Sequence, residues 1–332
     1  MSVGLGPVKI KFGQIIALFG SRLGWSAGTV DYAPFTEETL WSILWAVRMP
    51  RMLLAILVGA ALAVAGAGMQ GLFRNPLADP SLIGVSAGAA MGAVTVMVIG
   101  KNVLDLLPEW MEPLAIPLSA FIGGIGATFL VYHMSKVEGR TLVATMLLTG
   151  IAVNALAAAF IGLMMHMSDN RELRDFVFWS LGRLSDASWK NLGAIAPLVL
   201  APLAVYPFYA RALNAFLLGE SEARHLGIDT QRAKMTIIFL CAAMVSATVA
   251  ICGIIGFVGL VVPHLARLRV GPDHRYLLPA SALLGGSLLL AADLIARMVN
   301  APAELPIGVV TALLGAPFFM SLLYFSRHRV WA

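Results

Sequence analysis

Charge is what this sequence has least of. Only 12% of its 332 residues are Asp, Glu, Lys or Arg, against about 25% in an ordinary soluble domain. With 59% of residues hydrophobic and a mean hydropathy of +0.84, one globular core cannot hide the apolar surface, so lipid must solvate part of it. The net charge of +5 does not indicate nucleic acid: the basic residues sit singly in connectors and form no stripe. Cysteine is nearly absent. Cys241 and Cys252 lie in apolar stretches without C-x-x-C spacing, and small buried hydrophobes are expected there. Lys9 and Lys11 are followed by no h-region of adequate length, so no cleavable signal peptide is expected.

Catalytic signatures are also missing. Gly100-Lys101 is followed by Asn102 and has no glycine-rich loop before it, so the chain is expected to hold no P-loop of its own. There is no H-E-x-x-H, and the six histidines stand far apart, which leaves no metal-ligand spacing. Neither enzymatic activity nor a resident cofactor or metal is expected. The run Met164-Met165-His166-Met167 contains soft donors, but a helix end explains it more simply than a metal or haem contact does.

What is present is a series of apolar runs. A spanning helix needs about 20 mostly apolar residues, and nine segments qualify: 52–71, 81–99, 114–134, 141–165, 191–210, 234–251, 253–268, 277–299 and 306–325. The second and seventh are short or interrupted by glycine. The expected fold class is all-α, a polytopic membrane helical bundle forming one domain over residues 52–332. Residues 1–51 read as a separate outer-face segment in which 12–23 forms an interfacial helix. Gly84, Gly88 and Gly92 recur every four residues, and Gly59 with Ala63 makes a second small-residue pair; such stripes let helices approach closely in lipid. Once the first 51 residues are set aside, the Lys and Arg balance favours a cytoplasmic C-terminus.

Three polar features interrupt the apolar pattern. Arg48-Met49-Pro50-Arg51 reads as a helix start, with two arginines forming a basic knob or snorkelling anchors. Asn75-Pro76-Leu77-Ala78-Asp79-Pro80 reads as a stiff turn between spans, tolerated only where it is buried in protein or lines a cavity. Residues 218–233 (LGESEARHLGIDTQRA) read as a short helix ending at Gly227, with Asp229 capping the next one.

Residues 48–90 (RMPRMLLAILVGAALAVAGAGMQGLFRNPLADPSLIGVSAGAA) resemble the FecCD-type permeases of ATP-binding-cassette importers. So do 178–189 (FWSLGRLSDASW), 218–234, 253–267 (GIIGFVGLVVPHLAR) and 304–319 (ELPIGVVTALLGAPFF). The resemblance implies a homodimeric permease of ten helices per subunit. It also implies two separate cytoplasmic ATP-binding subunits and one periplasmic or lipid-anchored binding protein. The cargo would be a metal chelate: iron–siderophore first, then haem, then cobalamin.

Carried over position by position, Arg48, Arg51 and Arg297 look like cations that dock the binding protein. Asn75 and Leu77, with Val143 and Ala144, look like the cytoplasmic gate. Gly219, Glu220, Glu222, Ala223, Leu226, Gly227 and Asp229 look like the coupling segment that meets the ATPase. The family has a further helix before the region matching residues 4–10, and Met1 sits almost on that region; a start placed too far downstream is the expectation. The competing class is a stand-alone secondary transporter or channel, which would use an ionisable group inside a span. Asp293 is the candidate, but an i,i+4 pair with Arg297 is the simpler account.

Overall fold

The computed structural model describes residues 4, 8, 10–25, 32–100, 108, 111–300 and 303–330, without the side chains of 322, 323 and 325–330. Helix α1 (Phe12–Arg22) is the short segment expected near the N-terminus. Its Leu18 packs with Ile10, Leu40 and Leu44 in a satellite core. Phe12, Ile16 and Trp25 stay exposed, as suits a helix lying in an interface.

The first long helix differs from the expectation. It begins at Glu37 rather than near residue 50, and runs to Phe73 over 37 residues. Thr36 caps its start by accepting from the Thr39 amide, with Glu37 and Glu38 in the first turn. Pro50 does not begin the helix. The chain passes from α2 (Glu37–Ser42) through a π-helical turn (Ile43–Arg48) into α3 (Met49–Phe73). Proline offers no N–H and its ring crowds the carbonyl four residues back; widening to a π turn just before it absorbs both defects.

α3 ends where Arg74 turns left-handed at φ 51°, and the Asn75 amide bonds back to the Gln70 carbonyl at 3.1 Å. Asp79 then caps a 3-10 turn (Pro80–Ile83), and Gly84 at φ 79° redirects the chain into α4 (Val85–Ile99). α4 packs along α5 (Glu112–Met134). A side chain on Gly88 or Gly92 would collide with the α5 backbone at Gly123 or Ser119. Gly84 therefore serves the turn, while the other two members of the stripe make the helix contact. Gly59 of α3 meets Gly285 in the same way.

A tight hairpin (Lys136–Val137 paired with Arg140–Thr141) leads into α6 (Val143–Met167), then α7 (Asn170–Ser180) and α8 (Trp189–Val205). After a 3-10 turn come α9 (Ala210–Leu218), α10 (Glu220–His225) and α11 (Thr230–Cys252). α12 (Val258–Val270), α13 (His274–Val299) and α14 (Ile307–Val330) complete the chain. α3 and α11 are the most enclosed of the long helices and carry much of the core. Cys241 and Cys252 are free and buried within it, as expected.

All nine apolar segments meet a helix, but not all as full spans. Among the described residues, six helices are long and apolar enough to cross a membrane, with Val85–Ile99 and Ile307–Ser321 as shorter apolar helices. α12, at 13 residues, covers about 20 Å of a hydrocarbon layer about 30 Å thick. Residues 253–257 before it are irregular, with Gly253 and Phe257 at positive φ. Irregular backbone at such a depth needs protein partners, and it has them. The Arg183 amide bonds to the Cys252 carbonyl just before it at 2.7 Å, and the Ile254 carbonyl lies so close to Gly182 and Gly308 that a side chain on either would meet it. Pro263 leaves the Gly259 carbonyl without its helical donor; Gln70 of α3, buried, donates there and to Leu260 at 3.4 and 3.1 Å.

Candidate functional site

Polar side chains gather at the two ends of the bundle. At one end, α10 lies between Gly219, at φ 129°, and Gly227, at φ 81°. Both are conformations that favour glycine. Ala223 is fully buried and anchors the helix, while Glu222, Leu226 and Asp229 are exposed. Asp229 caps α11 by accepting from the Arg232 amide at 3.1 Å.

Glu220, the first residue of α10, turns inward. One carboxylate oxygen accepts from Arg224 at 2.9 Å and Gln231 at 3.2 Å; the other accepts from Lys234 at 2.6 Å. Burial on its own would raise the Glu220 pKa, but the hydrogen bonds from Lys234 and Arg224 outweigh it and hold it below the usual Glu value. Lys234 is 2% exposed and also donates to the Thr141 carbonyl at 2.8 Å. Gln231 closes the ring by accepting from the Thr141 amide at 3.0 Å. Thr141, Gln231 and Lys234 were not singled out in the sequence. The one signal available was a lysine at the first turn of an apolar span, facing the same side as Gln231 three residues earlier.

This ring ties α10 to the residues that lead into α6. Val143 is half-buried and Ala144 exposed, two and three positions after Thr141. Asn75 and Leu77 belong to the turn after α3, where the Asn75 side chain accepts from the Leu77 amide at 2.9 Å. The two candidate gate segments are linked through the 3-10 turn Pro80–Ile83, which packs on α6. Asn154 of α6 donates to its Ser81 carbonyl at 3.1 Å.

At the opposite end the expected basic knob is turned inward. Arg48, Arg51 and Arg297 are 4%, 7% and 6% exposed. Because the helix starts at Glu37, Arg51 lies well inside it, and a buried cation needs a paired anion. Arg51 binds Asp293 at 2.8 Å and Glu304 at 2.8 and 3.0 Å. Asp293 also takes Arg297 at 3.0 Å, which is the i,i+4 pair expected from the sequence. Arg48 reaches the Val8 carbonyl. Of the two acids, Asp293 is fully enclosed and Glu304 is 39% exposed. The methionine-rich end of α6 does not converge on one point: Met164 is buried and Met167 exposed.

Long apolar helices, a broken helix held by protein partners and charged networks confined to the two ends are the architecture of a multi-pass membrane transport protein. Comparison with known proteins narrows that class. The model of the FecCD transport family matches residues 1–325, and the chain belongs to that family. It is 44% identical to the hemin transport system permease protein HmuU of Yersinia pestis, over 89% of this chain and 86% of that one. It is 40% identical to the cobalamin import system permease protein BtuC of Halobacterium salinarum, over 97% of this chain and 85% of the relative. Among solved structures, an inward-facing transporter described as a metal-chelate type ABC transporter superposes with a TM-score of 0.79 at 32% identity, covering 94% of this chain and 98% of that chain.

Proposed function

We propose that this chain is the membrane permease of an ATP-driven importer whose cargo is a metal-bearing macrocycle, haem or cobalamin, ahead of an iron–siderophore complex. The order differs from the one expected from the sequence, because relatives at 44% and 40% identity carry the names of hemin and cobalamin permeases. The chain works as a homodimer with two cytoplasmic ATP-binding subunits and a binding protein that delivers cargo.

The observation that carries the importer mechanism is the Glu220–Lys234–Thr141 ring. α10 and the turn after it leave Glu222, Leu226 and Asp229 exposed to a partner, and a short rigid helix can pass on that partner's displacement. The ring gives the displacement a route: pulling Glu220 moves Lys234 and the Thr141 carbonyl, and with them Val143 and Ala144 at the head of α6. These residues, with Asn75 and Leu77, form the gate on that side.

Arg48, Arg51 and Arg297 serve docking at the other end by exchange. An acidic group on the binding protein competes with Glu304 for Arg51, while Asp293 keeps the pair of arginines in place. Neutralising Glu304 with Glu304→Gln should tighten binding-protein docking, read by titration of the binding protein onto the reconstituted complex. Unchanged or weaker docking would remove these arginines from the docking role.

Proteoliposomes holding the permease, its ATPase and its binding protein, offered haem, cobalamin and an iron–siderophore in parallel, test the cargo. ATP-dependent accumulation of haem or cobalamin is expected. Accumulation of the siderophore complex alone would restore the other order, and uptake without ATP would favour a secondary transporter.

A further inference from the structure

α5 and α8 both pack against α11 but stand apart from each other. Between them runs a cleft of about 600 Å³, within the range of about 300–1,000 Å³ typical of small-molecule sites. α11 supplies its floor through Ala247, Ala250 and Ile251, and Met97 of α4 and Trp179 of α7 also line it. Its walls are apolar: Pro117 and Phe121 on one side, Ala194, Ile195 and Leu198 on the other. Leu118 and Leu198 on the two walls are 45% and 44% exposed, so the cleft opens sideways, on the apolar flank of the bundle.

The polar lining comes from one short stretch. Arg183, Asp186, Lys190 and Asn191 sit at the start of α8 and in the turn before it, at the end of the bundle opposite α10. Arg183 is paired with Asp186 at 2.7 Å, and Asn191 donates to the Asp186 carbonyl at 2.8 Å. Lys190 is exposed, and no carboxylate pairs with it among the described residues. Among the described residues, the rim therefore carries one positive charge with no paired carboxylate. From Lys190 to Leu198 the cleft follows α8 for about 12 Å, close to the depth of one leaflet of a hydrocarbon layer about 30 Å thick.

We propose that this cleft is a binding site for a phospholipid with an anionic headgroup. One acyl chain lies along Phe121, Ile195 and Leu198, and the phosphate meets Lys190 at the rim. The acyl chain exchanges one apolar surrounding for another, so the cleft holds it by close packing rather than by the hydrophobic effect. The cation supplies the headgroup preference.

Native mass spectrometry of the full-length chain, extracted from vesicles of equal phosphatidylglycerol and phosphatidylcholine, tests the site. The wild-type chain should retain phosphatidylglycerol in preference. Lys190→Glu should lower the ratio of the two retained lipids by about tenfold, since each basic residue near a charged membrane surface contributes on the order of 1 kcal/mol. Ala194 is exposed in the cleft, so Ala194→Phe should fill it and release both lipids without crowding the core. Added inorganic phosphate should not displace the lipid. Equal retention of both lipids, or retention unchanged by both variants, would overturn the proposal. So would efficient disulfide formation between Leu118→Cys of one copy and Ala194→Cys of another, which would show that the cleft is closed by a second copy.

Discussion

At the scale of single residues, burial decides which charges matter. Asp293 is enclosed and pairs with both Arg51 and Arg297. Asp293→Asn leaves two buried guanidinium groups short of a counter-charge, and breaking such a buried pair costs about 3–5 kcal/mol. The purified variant should therefore melt well below wild type. Glu304→Gln should cost far less, because Glu304 is 39% exposed and solvent screens it. Equal losses in the two variants would mean that the network is not centred on Asp293.

Glu220 has a pH signature. Its pKa is lowered in the folded protein, so its stabilisation is fully present above the ordinary Glu value of about 4.3. It is lost as pH falls through the lowered value. Acid should loosen α10, read as faster proteolysis near residues 219–229, and Glu220→Gln should remove that dependence.

At this scale the Asp293–Arg297 pair was legible from its i,i+4 spacing. The inward turn of Arg48 and Arg51 was not, because Glu304 lies 253 positions from Arg51 in sequence and nothing local announces the contact. Lys234 was invisible for the same reason: its partners Glu220 and Thr141 come from two other elements.

At the scale of elements, hydrophobic runs located the helices but not their ends. Residues 1–51 read as a separate outer-face segment, and Pro50 flanked by arginines looks like a start, so the apolar stretch 40–47 is not joined to the span that follows. A π turn lets the helix run straight through Pro50. Segment 253–268 has the composition of a span, yet Gly253 and Phe257 break the backbone and leave a 13-residue helix. Segments 181–183 and 306–308 lie against it, and the three come from separate stretches of family resemblance that sequence alone could not bring together.

Small-residue stripes were readable as contacts. Gly88→Leu or Gly92→Leu should separate α4 from α5, where even tolerated overpacking costs about 1–3 kcal/mol. Both variants should lower the melting temperature in detergent. By contrast, Gly126, where a side chain meets nothing within 4 Å, should accept Ala with little change. A stable Gly88→Leu protein would show that the close approach of α4 and α5 is dispensable.

At the scale of the molecule, the two polar networks are joined by an apolar bundle. Family membership and the bundle architecture were both legible in the sequence, because long motifs and runs of apolar residues survive without tertiary knowledge. The tie between α10 and the head of α6 was not. It depends on the closure of α10 onto Thr141 by a lysine that composition alone marks only as a span end.

In the mechanism proposed above, ATP-driven motion enters at α10 and reaches the gate through Lys234. The most direct measurement is the ratio of chelate imported to ATP hydrolysed, taken in the same proteoliposomes for wild type, Lys234→Met and the exchange variant Glu220→Lys/Lys234→Glu. Lys234→Met should keep ATP hydrolysis while its ratio falls at least fivefold, and the exchange variant should recover part of it. A ratio unchanged in Lys234→Met, with import intact, would contradict the claim.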